Sequence, residues 1–164
     1  MMKNPKNLLV FAFLGGVVGV GLGFGLGRFS TPLDSKSETL DAASEMISVM
    51  TAQQDAWNRG DIDAFMDGYI QGEDLRFASG GDITTGWNST INRYKARYSD
   101  RAAMGTLRFD IIDVTVIDED DGLIFGKWAL SRENDMPNGL FTLHLKKSDN
   151  GWKVVSDHTS SADK

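Results

Sequence analysis

The stretch Asp74-Leu-Arg-Phe-Ala-Ser-Gly-Gly-Asp-Ile-Thr-Thr-Gly-Trp87, continuing to Tyr98, decides the architecture through its own pattern and through what flanks it. Residues 75–78 read as a short strand, and Ser79-Gly-Gly-Asp82 as a turn. Thr85-Gly-Trp87 then leads into a helix over 88–98 carrying Ile91, Tyr94 and Tyr98. Upstream, Leu40, Ala43, Met46, Ile47, Met50 and Trp57 recur at spacings of three and four, which predicts a helix over 38–58. Arg59-Gly60 closes it, and Asp61 caps a second helix over 62–69 with Ile62, Phe65, Met66 and Tyr69 on its apolar face. Downstream come four strand-like runs, 106–117, 123–132, 139–147 and 152–158. The clusters between them, Asp118-Glu-Asp-Asp-Gly122, Glu133-Asn-Asp-Met-Pro-Asn138 and Ser148-Asp-Asn-Gly151, are short and polar, so the runs should form an antiparallel meander. The expected fold is α+β: three N-terminal helices packed on a curved, mainly antiparallel sheet.

The chain of 164 residues is about one domain long and can bury a core without covalent staples. It has no cysteine, which excludes disulfides, thiolate metal sites and cysteine nucleophiles. The net charge is -6, and Lys3, Lys6 and Arg28 flank the one long apolar run, so the remainder is more acidic still. Such a surface is unsuited to neutralising phosphates, and no nucleic-acid partner is expected.

Residues 8–27 carry no charge and match the roughly 20 residues of a bilayer-spanning helix. Lys3 and Lys6 ahead of them predict a cytoplasmic N-terminus and an extracytoplasmic (periplasmic) C-terminal domain. The apolar run is long for a signal core, and Gly27-Arg-Phe-Ser30 lacks a small-x-small cleavage site. Residues 1–29 are therefore read as a membrane anchor, the alternative being a signal segment removed on secretion. Gly15, Gly19, Gly23 and Gly27 would form one smooth helix stripe, suited to self-association, although glycine is simply abundant here. Residues 30–37 read as a linker and 38–161 as the folded domain.

Several motifs give the domain a family likeness: Ala56-Trp-Asn-Arg-Gly-Asp61, Asp74-Leu-Arg-Phe77 with the following Gly-Gly, Thr85-Gly-Trp87, Arg93-Tyr-Lys-Ala-Arg-Tyr98 and Gly151-Trp-Lys-Val-Val-Ser-Asp-His158. In this order they resemble the cone-shaped superfamily of nuclear transport factor two, ketosteroid isomerase and the SnoaL-like polyketide cyclases, and most of all the small bacterial SnoaL-like proteins. The resemblance implies a cone with a pocket at its open end and a dimer through the outer sheet face. It implies no single activity, since the superfamily hosts isomerases, cyclases, dehydratases and assembly domains. Ketosteroid isomerase places its aspartate base near the end of the first strand. Arg76-Phe-Ala-Ser79 offers no carboxylate there, and Asp82 follows in the turn.

Centring each turn on its polar cluster pairs Ile117 with Leu123, Arg132 with Gly139 and Lys147 with Trp152. One face can then be followed across the sheet: Arg108, Asp110, Ile112, Val114 and Val116; Arg132, Leu130, Trp128 and Gly126; Phe141, Leu143 and Leu145; His158, Ser156, Val154 and Trp152. This face is mainly apolar and should lie under the helices. Its ionisable members gather at one end, which makes Arg108, Asp110, Arg132 and His158 a pocket candidate. Two arginines suit a carboxylate or other small anion, and Asp110 could orient an arginine or fix the tautomer of His158. The alternative is a buried structural ion pair. Tyr69, Trp87, Tyr94, Tyr98, Trp128 and Ser156 are further lining candidates, although aromatics at helical spacing also build cores. Arg76, Arg93 and Arg97 could add positive charge at the mouth. His144 falls on the opposite face from His158, so no shared metal site is expected, and no cofactor motif is present.

The sequence thus points to a membrane-tethered, outward-facing homodimer whose cone binds a small, anionic organic molecule. Two alternatives stay open: an acid–base enzyme of isomerase, dehydratase or cyclase type with His158 and Asp110 as its catalytic pair, and a non-catalytic assembly domain.

Overall fold

The computed structural model describes residues 32–162, so the expected membrane segment and its glycine stripe lie outside the described residues. Among the described residues no helix is long and apolar enough to cross a membrane. Helix α1 (Pro32–Arg59) begins inside the stretch expected to be linker. It ends in a glycine-based cap. Gly60 adopts φ 84°, its N–H donates to the Trp57 carbonyl at 2.8 Å, and the Asp61 N–H donates to the Ala56 carbonyl at 2.9 Å. Asp61 then accepts from the Ala64 N–H and starts α2 (Ile62–Met66).

Helix α2 is shorter than the sequence predicts. The chain leaves it at Asp67-Gly68, and Tyr69 bridges Val154 in parallel fashion, with the Ile70 N–H donating to the Val154 carbonyl at 2.9 Å. This exit delivers the Tyr69 ring to the sheet instead of to a helix face. Strands β1 (Arg76–Ser79) and β2 (Asp82–Thr85) form a tight hairpin, with Gly80 and Gly81 both at positive φ. The sequence reading had only the turn here, so β2 is an addition. Helices α3 (Trp87–Arg97) and α4 (Arg101–Met104) follow, the latter capped by Asp100.

The meander is β3 (Thr106–Val116), β4 (Asp121–Ser131), β5 (Asn138–Ser148) and β6 (Gly151–Thr159). The six strands lie in the order β2-β1-β6-β5-β4-β3. Among the described residues only strands β1 and β6 pair in parallel, so the sheet is mixed. Helix α1 crosses it, and Met46, Met50, Trp57, Ile124, Leu145 and Val154 are among the buried side chains between helix and sheet.

Strand β3 is an edge, and α1 covers part of it. The Asn58 side chain accepts from the Leu107 N–H at 2.8 Å and donates to the Leu107 carbonyl at 3.0 Å, while Gln54 accepts from the Phe109 N–H at 2.7 Å. Asn58→Ala leaves both Leu107 groups without these partners. It should cost about 1–2 kcal/mol in urea unfolding, and an unchanged midpoint would show that water replaces the amide.

Two bulges set the faces. Ile111 pairs with Gly126 but Asp113 with Phe125, leaving Ile112 as an extra residue. Leu145 pairs with Val154 but His144 with Ser156, leaving Val155 extra. Each bulge inverts the inside–outside alternation beyond it. The inner face therefore carries Leu107, Phe109, Val114, Ile124, Trp128, Leu130, Phe141, Leu143, Leu145, Trp152, Val154 and Asp157. The uninterrupted alternation expected along β3 and β6 is corrected accordingly. Arg108 and Asp110 are exposed, as is His158.

Candidate functional site

The cone encloses a cavity of about 340 Å³ between α1, α2, α3 and the sheet. Its lining is largely apolar and aromatic, with Trp57, Phe65, Tyr94, Tyr98 and Leu143 among the lining side chains. Trp57 is the hub of the aromatic cluster, its ring centroid 5.2 Å from Phe65 and 4.7 Å from Tyr98 in edge-on contacts. Tyr94 stacks on Tyr98 at 6.0 Å, one helical turn along α3.

One carboxylate stands inside this aromatic wall. Asp157 is 4% exposed and lines the cavity, delivered there by the bulge at Val155. It accepts from the Tyr69 hydroxyl at 2.8 Å and from the Thr159 hydroxyl at 2.6 Å. The Tyr69 and Tyr94 hydroxyl oxygens are 3.5 Å apart. Since the single Tyr69 proton is given to Asp157, Tyr94 must be the donor in that contact. The result is a directed chain, Tyr94 to Tyr69 to Asp157, with Thr159 arriving from the other side.

Burial pushes the Asp157 carboxyl up to about 6, against the opposing pull of the two hydroxyl donors and the nearby His158. Burial and the neighbouring Asp157 charge push both tyrosines well above the ordinary phenol value, so they remain neutral donors.

The mouth is of different character. Ser79, Gly80 and Asp82 of the β1–β2 hairpin, Arg93 and Arg97 of α3, and Ser161 after β6 surround it. Arg93 lies over the Phe77 ring at 5.3 Å and Arg97 over Tyr98 at 5.8 Å. Neither arginine makes an ion pair among the described residues. Residues Arg93, Tyr94, Arg97 and Tyr98 fall in two adjacent stripes of one helix. The tyrosines thereby enter the cone and the arginines reach its rim.

A SnoaL-like domain model matches residues 47–164, most of the chain. The chain belongs to the SnoaL-like domain family. Among curated proteins none matches. Among solved structures, it is similar to an NTF-2 like protein of unknown function from Shewanella oneidensis MR-1, at 38% identity and TM-score 0.69, over 71% of this chain and 97% of that one. It shares its fold with a ketosteroid isomerase-like protein from Erwinia carotovora atroseptica SCRI1043, at 17% identity and TM-score 0.60, over 74% of this chain and 96% of that one. A protein of unknown function with a cystatin-like fold from Nostoc punctiforme PCC 73102 aligns at 10% identity and TM-score 0.56, over 82% of this chain and 95% of that one. The last two likenesses are of fold alone.

Within this SnoaL-like cone, Tyr69, Tyr94, Tyr98 and Trp128 line the cavity. Trp87 instead packs against the core and donates its indole N–H to the Met66 carbonyl at 3.0 Å. The ionisable quartet expected at the open end is not brought together. Asp110 stands opposite Lys127, and Ser156 stands opposite His144. Neither Arg108, Asp110, Ser156 nor His158 contributes to the cavity wall. Arg132 is held in a bidentate contact by Asp135, at 2.6 and 2.7 Å, and donates to the Ala103 carbonyl at 3.2 Å. That fork is already occupied.

The bulge at Val155 also puts His144 and His158 on the same face, contrary to the expected opposition. His144 Nε2 meets Asp121 Oδ1 at 2.5 Å, a partner the sequence reading did not foresee. The His144 contact and the neighbouring Lys146 hold the Asp121 carboxyl below its usual range. No group of three potential metal ligands occurs among the described residues. Asp157 itself was missed. The alternation breaks just before it, at Val154-Val155, and nothing in the sequence sets that doublet apart from the apolar neighbours Leu123-Ile124-Phe125 of the unbroken β4.

Proposed function

We propose that this SnoaL-like domain binds a small organic molecule inside its cone, with a polar group of that molecule set against Asp157 and Tyr94. The observation that carries this function is the buried Asp157 carboxylate facing an open, aromatic-lined cavity of about 340 Å³. Apolar cavities of a few hundred Å³ with a few converging polar groups are the usual form of small-molecule sites. An anionic ligand is supported by Arg93 and Arg97 at the mouth, in place of Arg108 and Arg132. An assembly domain with a side-chain-filled cone is less consistent with a cavity of this size. Tethering to a membrane with the domain on the extracytoplasmic side is supported by the uncharged run 8–27 behind Lys3 and Lys6. Homodimerisation is supported by Ile112, Leu123 and Leu140, large apolar side chains exposed on the sheet.

Acid–base catalysis is the second function that a specific observation favours. A carboxyl raised to about 6 titrates close to neutrality, where a general base works best. Asp157, not His158 with Asp110, is then the group to test.

Native mass spectrometry of the purified full-length protein, before and after denaturation, tests the binding function. A one-to-one organic occupant, reduced in Asp157→Asn and Tyr94→Phe, is the expected result. An occupant retained equally by both variants would place it outside the cone.

A further inference from the structure

The two ends of the cavity ask for different chemistry. At the inner end, Tyr69 spends its proton on Asp157, and Tyr94 spends its own on Tyr69. Thr159 spends its proton on Asp157 as well. What faces the cavity there, with Asp157 ionised, is lone pairs: a carboxylate has about four acceptor sites, of which two are taken. An incoming carbonyl or ether oxygen finds no free proton on Tyr69, Tyr94 or Thr159. An incoming O–H or N–H finds an acceptor.

At the rim, Arg93 and Arg97 stand four residues apart on α3, about 6 Å along the helix. Both have guanidinium donors not committed to a carboxylate among the described residues. Among the described residues Asp82 is the one carboxylate in the rim, and it is exposed. The cavity wall also carries Trp57, Phe65, Tyr94 and Tyr98, aromatic surfaces that suit a flat ring.

Building on the ligand-binding function above, we infer that the cone takes a two-ended aromatic acid. Its hydroxyl (or another hydrogen-bond donor) enters first to meet Asp157, its ring lies against the α3 tyrosines, and its carboxylate stays at the rim between Arg93 and Arg97. The donor end gives orientation, because a reversed molecule would place its carboxylate beside the Asp157 carboxylate in a poorly solvated site. The acid end gives capture, because a planar guanidinium fork matches a carboxylate.

The probe is 6-hydroxy-2-naphthoate, a flat ring system with the two groups at opposite ends. It is titrated by its own fluorescence against the full-length protein at neutral pH. Its comparators are 2-naphthoate, which lacks the hydroxyl, methyl 6-hydroxy-2-naphthoate, which lacks the charge, and 2-naphthol. The hydroxy acid should bind about tenfold more tightly than either of the first two, the gain of a charge-assisted hydrogen bond. Asp157→Asn should erase the advantage over 2-naphthoate and keep the advantage over the ester. Arg93→Gln with Arg97→Gln should do the reverse. Comparing probes on the unaltered protein keeps the test independent of how well any variant folds. The inference fails if the ester binds as tightly as the acid, or if each variant lowers both advantages equally. If 2-naphthol binds and the acid gains nothing over it, the cone still binds ligands but not this class. If none of the four binds, both the inference and the ligand-binding function fail.

Discussion

Asp157→Asn is expected to remove a component of stability that falls as pH rises. The folded carboxyl titrates at about 6, whereas an unperturbed one titrates at 3.8. Between those values the folded chain holds a proton that the unfolded chain has released. Stability must therefore decrease with rising pH across that window. The Asp157 contribution is fully present below 3.8 and lost once pH passes about 6. The gap corresponds to roughly 3 kcal/mol. Asparagine stays neutral, and its amide can still bond to the Tyr69 and Thr159 oxygens. Urea unfolding of both proteins across this range should give curves that diverge toward low pH, the native protein gaining on the variant. The His144–Asp121 pair responds in the opposite sense, because the Asp121 carboxyl is held low. It is common to both proteins and drops out of the comparison. Parallel curves would mean that Asp157 is better solvated than its 4% exposure implies.

Trp57→Ala should be the most destabilising single change considered, at about 3–5 kcal/mol. Trp57 is 2% exposed and touches Phe65, Tyr94 and Tyr98 through ring contacts. Its indole N–H donates to the Met104 carbonyl at 3.2 Å, which ties α1 to the end of α4. Its own carbonyl accepts from Gly60 and, at 2.9 Å, from Arg101. The substitution leaves those backbone contacts in place but opens the cavity wall, so the hole adds to the lost transfer energy. Trp57→Phe should recover a good part of the loss by refilling the hole, while still lacking the indole donor. A urea midpoint for Trp57→Ala within error of the native protein would contradict the placement of this ring at the centre of the cluster.

How much of the molecule the sequence reveals follows from where its periodicities are unbroken. Strands β4 and β5 run without interruption, and their inner residues, Ile124 to Leu130 and Phe141 to Leu145, alternate as the pattern requires. The β5–β6 turn pairs Lys147 with Trp152, as centring on its polar cluster predicts. The β4–β5 register differs from the expected one by an even number of residues, as does the β3–β4 register from Asp113 to Val116, so the faces on β4 and β5 agree with the pattern. The failure lies in β3 and β6. Val114 and Val154 fall inside as expected, but beyond the extra residues Ile112 and Val155 every side chain changes face. Ile111-Ile112 and Val154-Val155 are each two apolar residues in a row. Such doublets do not announce a break by themselves, since the unbroken β4 carries Leu123-Ile124-Phe125.

The same fact explains the site. The helix-borne aromatics need only the 3.6-residue period to be placed, so Tyr94 and Tyr98 share one side of α3. Asp157 depends on a bulge for its position and is invisible to a strict alternation. Tyr69 depends on α2 stopping at Met66, which the Asp67-Gly68 step brings about but does not announce. Strand β2 was hidden for another reason: Asp82-Ile-Thr-Thr85 is short and Ile83 is 72% exposed, so it carries no buried face to read. The glycine pair before it was the hairpin signal.

The proposed ligand sits in the cone against Asp157. The most direct test is to follow the side-chain carboxyl resonance of Asp157 by carbon-13 nuclear magnetic resonance through a pH titration, with and without 2-naphthol. A hydroxyl donor favours the ionised carboxylate, so binding should move the midpoint from about 6 toward lower pH. Resonances of Tyr69 and Tyr94 should shift with it. An Asp157 titration left unchanged at a 2-naphthol concentration that perturbs other residues would place binding elsewhere and contradict the account.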